Sequence, residues 1–193
     1  GTRPRSHDIV MDESLADELY RSEKDRAEHL MIVDLIRNDI GKVCEYGSVK
    51  VDNLYSIESF KTVHQMVSRI HGKLTNSTRE IDIIQALFPG GSITGAPKER
   101  AMKIIDFLED YQRGVYTGAL GSICSNGDMD FSIAIRTMSI NNNVATYPVG
   151  GGIVWDSDPL DEWQEAQQKS RIIDMYQNNF VIEQSKLEFF PNI

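Results

Sequence analysis

The chain has 193 residues, 40% of them hydrophobic and 25% charged, with 29 acidic against 20 basic side chains and a formal charge of −9. That composition suits a soluble globular domain, or a large part of one, with enough apolar residues for a core. It argues against nucleic acid as a partner, because phosphate neutralisation needs basic patches, and no apolar run is long enough to span a bilayer.

Cys44 and Cys124 form no CxxC pair. They suit a reduced, cytoplasmic protein and argue against a disulfide or zinc framework. The opening Gly1-Thr2-Arg3-Pro4-Arg5 reads like the interior of a longer chain, so an upstream extension is expected.

In chain order, Ser22 is expected to cap a helix running through Leu30-Met31-Ile32-Val33 to Asp39, with Asp25 facing back as in a capping box. Its middle is apolar on nearly all sides, which predicts burial. Val49 to Tyr55 reads as a short strand. Phe60 to Leu74 is expected to be helical, with Val63, Met66, Val67 and Ile70 on one side. A short helix over Glu80 to Phe88 follows, then a loop from Pro89 to Pro97, then a helix from Lys98 to Tyr111.

The pattern then changes. Gly118 to Cys124, Met129 to Met138 and Val144 to Tyr147 read as strands, with a hairpin turn at Asn126-Gly127 and a weaker one at Asn141-Asn142-Asn143. Gly150-Gly151-Gly152 predicts a loop. Asp158 as N-cap and Pro159 in the first turn open a long final helix. Helices, an antiparallel meander and another helix together predict an α+β fold.

Several residues are candidates for chemistry. Glu162, Glu165, Lys169, Ile172 and Tyr176 fall near one face of the last helix, though Glu165 and Lys169 also read as an ordinary i,i+4 surface pair. Asp25 and Glu28 form a similar pair, with Glu28 on a face that continues into Ile32 and Leu35. Asp25 reads equally as a capping residue. Two helix-borne carboxylate pairs supply the hard oxygens that Mg2+ prefers, with waters and substrate oxygens completing its shell. Glycines 150 to 152 read either as a tight turn or as N–H donors to an anion. Arg136 is expected in an apolar strand, on the face of Ala134 and Met138, where it needs a carboxylate or an exposed face. Tyr116 reads as half-buried packing or as a hydrogen-bond donor to the same anion. His64, among apolar neighbours, reads as a core or boundary histidine.

Longer motifs add a resemblance. Pro89-Gly90-Gly91-Ser92-Ile93-Thr94-Gly95-Ala96-Pro97-Lys98 with Ala101-Met102 closely resembles the signature of the chorismate-binding family, which includes anthranilate, aminodeoxychorismate, isochorismate and salicylate synthases. Asp25 to His29, Val33 to Asp39, Ile135-Arg136-Thr137, Gly150 to Val154 and Asp156-Ser157-Asp158-Pro159 resemble further signatures. Together they cover almost the whole chain. The wording Gly90-Gly91-Ser92-Ile93 and Gly150-Gly151-Gly152 is similar to the aminodeoxychorismate synthase branch.

The resemblance implies the family's α+β fold, with mixed or antiparallel sheets and outer helices, residues 1–193 being the C-terminal portion of one domain. It implies that Glu28 and Glu165 hold Mg2+, with Asp25 and Glu162 supporting it through water. Tyr116 and Arg136 would grip the enolpyruvyl carboxylate of chorismate. Lys169 and the backbone of Gly150, Gly151 and Gly152 would surround the substrate carboxylates. Thr2, Ser92 and Thr94 would line the pocket, and His64 and Lys169 are the implied catalytic side chains. The implied reaction aminates chorismate to 4-amino-4-deoxychorismate, a folate precursor, with ammonia from a glutamine amidotransferase subunit. An anthranilate synthase component I and a non-catalytic module of the same fold are the alternatives. In the resembled family the residue before Gly1-Thr2 is a lysine nucleophile in aminodeoxychorismate synthases and an alanine in anthranilate synthases; it and the family's acid-base glutamate fall outside the sequence, so the chain alone is expected to be inactive.

Overall fold

Ser22 closes one helix and starts the next. Its backbone N–H donates to the carbonyls of Glu18 and Leu19 at the end of helix α1 (Ile9–Arg21), and its hydroxyl accepts from Asp25 N–H in helix α2 (Glu23–Gly41). Because the Ser22 N–H is committed to α1, the Asp25 carboxylate does not close a capping box. It turns to Arg3 instead. The computed structural model describes residues 1–155 and 157–179. Asp156, and the side chains of Ile172 and Tyr176 in the expected helix row, lie outside the described residues.

The chain divides into two compact units, Gly1–Ser92 and Ile93–Ile193. In the first, strands β1 (Thr2–Pro4), β2 (Lys50–Ser59) and β3 (Val63–His71) form an antiparallel sheet in the order β1-β3-β2. Both α1 and α2 pack on this sheet. Helix α3 (Glu80–Leu87) packs on α2, and Val43, Cys44 and Ala86 form a small core flanked by Ile40 and Val49. Leu19 of α1 is fully buried. Asp8 caps α1, its carboxylate accepting from Met11 N at 2.8 Å. This helix is not among the sequence expectations, because its apolar positions Leu15 and Leu19 are set among acidic residues.

The expected helix over Phe60 to Leu74 is corrected to strand β3. Val63, Met66, Val67 and Ile70 suit a helical face, but β2 supplies a partner, and pairing with it satisfies the backbone of both segments. His64 and Met66 are buried while Gln65 between them is exposed, which is the period of a strand. β2 is also longer than expected. A bulge carries Asn53 and Tyr55 at positive φ before pairing resumes at Ser56. The burial expected of α2 is partial: Val33 and Asp39 are buried, whereas Leu30 and Met31 are exposed.

A single helical turn, α4 (Gly91–Thr94), interrupts the expected loop after Pro89. The second unit holds α5 (Lys98–Leu108), the hairpin of β4 (Ala119–Ile123) with β5 (Met129–Ile133), and the hairpin of β6 (Ser139–Asn141) with β7 (Val144–Thr146). Both expected turns are present. Asn142 and Asn143 take φ of 47° and 64°, as a two-residue primed turn requires. The strand expected from Met129 to Met138 ends at Ile133, and Arg136 sits in the left-handed region at φ 54°. The alternation that placed Arg136 beside Ala134 and Met138 on one strand face therefore does not apply.

Helix α6 (Pro159–Asn179) begins where expected. The Asp158 carboxylate accepts from the N–H groups of Leu160 and Asp161, at 2.8 and 3.2 Å, a cap worth about 1 kcal/mol. Among the described residues no helix is long and apolar enough to cross a membrane.

Candidate active site

Most of the expected site residues of the second unit converge on Lys169. Two turns of α6 place Glu162, Glu165 and Lys169 on one side. The Lys169 ammonium donates to the carbonyl of Gly150 at 2.9 Å and pairs with the Glu165 carboxylate. Arg136 donates from Nη1 to the Lys169 carbonyl at 3.1 Å. Its backbone lies in the left-handed region, at a cost to an L-residue of roughly 1 kcal/mol or more. The rest of its guanidinium keeps N–H donors for a carboxylate.

The glycine loop approaches from the other side. A Cβ on Gly150 would lie 3.1 Å from the Tyr116 hydroxyl, and one on Gly151 would lie 2.9 Å from Glu162 Oε2. Gly152 has open space around it. Burial pushes the Tyr116 phenol above its ordinary pKa, so it stays a hydrogen-bond donor at neutral pH. Tyr116, Arg136, Gly150, Gly151, Glu162, Glu165 and Lys169 thus form one cluster of cations, carboxylates and close backbone, suited to an anionic ligand with or without a cation.

The sequence reading missed the supports. Ser157 donates to Glu162 Oε1 at 2.7 Å. Arg113 forks onto Glu109 and reaches the Thr117 hydroxyl at 3.4 Å, beside Tyr116. The i,i+4 spacing of Glu109 and Arg113 is a visible signal, whereas nothing local links Ser157 to Glu162.

In the first unit, Thr2 lies on β1 opposite Gln65. Arg3 joins Thr2 to Asp25, donating to the Thr2 carbonyl at 2.9 Å and to Asp25 Oδ2 at 3.1 Å. Partial burial opposes ionisation of Asp25, but hydrogen bonding to Ser22 and the Arg3 charge prevail and hold its pKa below the ordinary value. Glu28 is half exposed, with Lys24 at 3.9 Å. Ser92 ends the first unit and Thr94 falls in the second, both within the α4 turn; Gly91 of that turn packs against α2, where a Cβ would meet Leu35 at 3.0 Å.

His64 is not on a helix and is only 2% exposed. Its Nε2 lies 3.0 Å from Asp12 Oδ1 and its Nδ1 2.9 Å from the Ser59 hydroxyl. An ionised carboxylate only accepts, so Nε2 carries the proton given to Asp12. Both ring nitrogens are therefore committed inside the unit.

Asp25 and Glu28 belong to the first unit, Glu162 and Glu165 to the second. All are oxygen donors, which fit a hard cation rather than zinc. Among the described residues no group of three His, Cys, Asp or Glu side chains makes a ready cage. That is compatible with Mg2+, which binds through one or two carboxylates, waters and substrate oxygens.

The family model described as chorismate binding enzyme matches residues 1–174. Over 173 residues the chain is 46% identical to anthranilate synthase component 1 of Saccharolobus solfataricus, covering 90% of this chain and 41% of that protein. Over 179 residues it is 49% identical to aminodeoxychorismate synthase component 1 of Salmonella typhimurium, covering 92% and 39%. The crystal structure of anthranilate synthase component I from Streptococcus pneumoniae matches with a TM-score of 0.77 at 40% identity, over 87% of this chain and 40% of that one. The chain thus spans less than half the length of the proteins it matches.

Proposed function

The chain belongs to the chorismate binding enzyme family, with the α+β fold of anthranilate and isochorismate synthases, and from that premise we propose that it is the C-terminal portion of an aminodeoxychorismate synthase component I. The full-length protein would convert chorismate and ammonia to 4-amino-4-deoxychorismate, the ammonia coming from a glutamine amidotransferase partner. Both units would be parts of one domain, a reading supported by a single family match that runs through both.

The observation that carries this reading is the cluster around Lys169. Chorismate is a dianion, and a site for it needs cations arranged around two carboxylates. Arg136 and Tyr116 would bind and orient the enolpyruvyl carboxylate. Lys169, held on the Gly150 carbonyl, would offset the substrate's charge where the glycine loop comes close. Glu28 and Glu165 would hold Mg2+, with Asp25 and Glu162 supporting it through water. When bound, the ion would supply charge neutralisation at the ring carboxylate, which favours nucleophilic attack on the ring. Thr2, Ser92 and Thr94 would line the pocket. His64 would support the site rather than act in catalysis, a reading favoured by its burial and by the partners on both its ring nitrogens.

The wording of Gly90 to Ile93 and of Gly150 to Gly152 favours the aminodeoxychorismate branch over an anthranilate synthase. Full-length protein supplied with chorismate, ammonia and Mg2+ should accumulate 4-amino-4-deoxychorismate, identified by chromatography and mass. Anthranilate as the product would establish the second reading. No consumption of chorismate, by folded protein, would leave only a non-catalytic module.

A further inference from the structure

The Glu162 carboxylate is met from two sides, by the Ser157 hydroxyl and by the backbone of Gly151. Its Oε1 accepts the Ser157 hydroxyl at 2.7 Å. That hydroxyl accepts in turn from Val154 N at 3.1 Å, and the Ser157 N–H donates to the Val154 carbonyl at 3.0 Å. A serine hydroxyl has one proton. With its lone pair engaged by Val154, that proton is directed at Glu162. The serine is itself fixed by the turn that precedes α6.

Glu162 Oε2 lies over Gly151. A side chain at 151 would begin 2.9 Å from this oxygen and 3.8 Å from Lys169 Nζ. Gly151 is not one of the glycines with positive φ. Its backbone does not demand glycine, so the space above it does. Because the atom in the way is the end of a flexible side chain, an alanine there would move the carboxylate without disturbing the fold.

We propose that Ser157 and Gly151 are positioning residues that preset the Glu162 carboxylate, Ser157 holding Oε1 and Gly151 leaving room for Oε2 to face a divalent cation or its bound water. The inference rests on the reading of Glu162 as a cation-supporting carboxylate. A free glutamate side chain loses rotamer freedom when it engages an ion. Here much of that loss is incurred on folding, so the ion binds a carboxylate already in place. Groups that orient a ligand in this way are typically worth 10–100-fold in metal affinity.

The test is calorimetric titration of Mg2+ into the full-length protein without chorismate, with thermal unfolding measured in parallel. Ser157→Ala and Gly151→Ala should each weaken Mg2+ binding about tenfold or more while the melting temperature holds. Glu162→Gln should weaken it at least as far. If Glu162→Gln leaves Mg2+ affinity unchanged, the carboxylate does not support the ion, and the site reading beneath the inference fails. If Glu162→Gln weakens binding but Ser157→Ala and Gly151→Ala do not, the positioning role is overturned and the site reading stands. Loss of affinity only in step with loss of thermal stability would also overturn it.

Discussion

Replacing Glu165 by glutamine in the full-length protein is expected to lower Mg2+-dependent turnover about a thousandfold. The amide keeps the shape of the side chain and removes its charge, and a neutral oxygen is a poor substitute for a carboxylate on a hard, strongly hydrated ion. Losing roughly 4 kcal/mol of charge stabilisation in the transition state corresponds to three powers of ten at 1.36 kcal/mol each. The fold should not suffer. Glu165 is 55% exposed, and its pairing with Lys169 is of the surface kind that contributes little to stability. Lys169 also keeps its hydrogen bond to Gly150. Steady-state kinetics across a range of Mg2+ concentrations, beside a melting curve, would separate the two effects. Turnover within threefold of the parent would reject the metal assignment.

The second large effect is expected at His64 and should appear as stability. His64→Ala is expected to destabilise the full-length protein by about 2–4 kcal/mol. The substitution removes a buried ring and leaves a cavity between α1 and the sheet. It also strips partners from Ser59 and from Asp12. Asp12 is the centre of this cluster. Arg5 forks onto it with contacts of 2.8 to 3.1 Å, and Ser6 N donates at 2.8 Å. The Arg5 hydrogen bonds, with those from Ser6 and His64, hold the Asp12 carboxyl well below its ordinary value of 3.8. Its depressed pKa means that its share of stability is complete above the unfolded value and is lost as pH falls toward the folded one. Urea midpoints read at neutral and at acid pH would check both points. The His64→Ala deficit should be plain at neutral pH. A variant of unchanged stability whose turnover at saturating chorismate falls a hundredfold would return His64 to the chemistry.

How much of this was legible in the sequence depended on where the information sits. Helices α2, α3, α5 and α6 carry their periods locally, and Ser22 and Asp158 cap α2 and α6 as expected. The turns at Asn126-Gly127 and at Asn142-Asn143 likewise follow from residues that tolerate positive φ. β3 was misread because four apolar residues fit a helical face, while the partner that makes it a strand begins more than ten residues earlier. α1 was missed because its apolar positions Leu15 and Leu19 are set among acidic residues, and only Leu19 is buried. Arg136 was placed by an alternation that stops at Ile133, and no side chain announces a left-handed arginine. The motifs identified Glu162, Glu165, Lys169 and the glycine loop as candidates. They did not reveal that Lys169 bonds Gly150 or that Ser157 holds Glu162, since both contacts depend on how a loop folds back on a helix.

The most direct test of the whole account is a crystal structure of the full-length protein with Mg2+ and chorismate bound. The expected result is one carboxylate oxygen from each of Glu28 and Glu165 at roughly 2.0–2.1 Å from the ion, with a carboxylate of the substrate on Arg136. An ion bound away from these two glutamates, or a substrate that leaves Arg136 and Lys169 untouched, would contradict it.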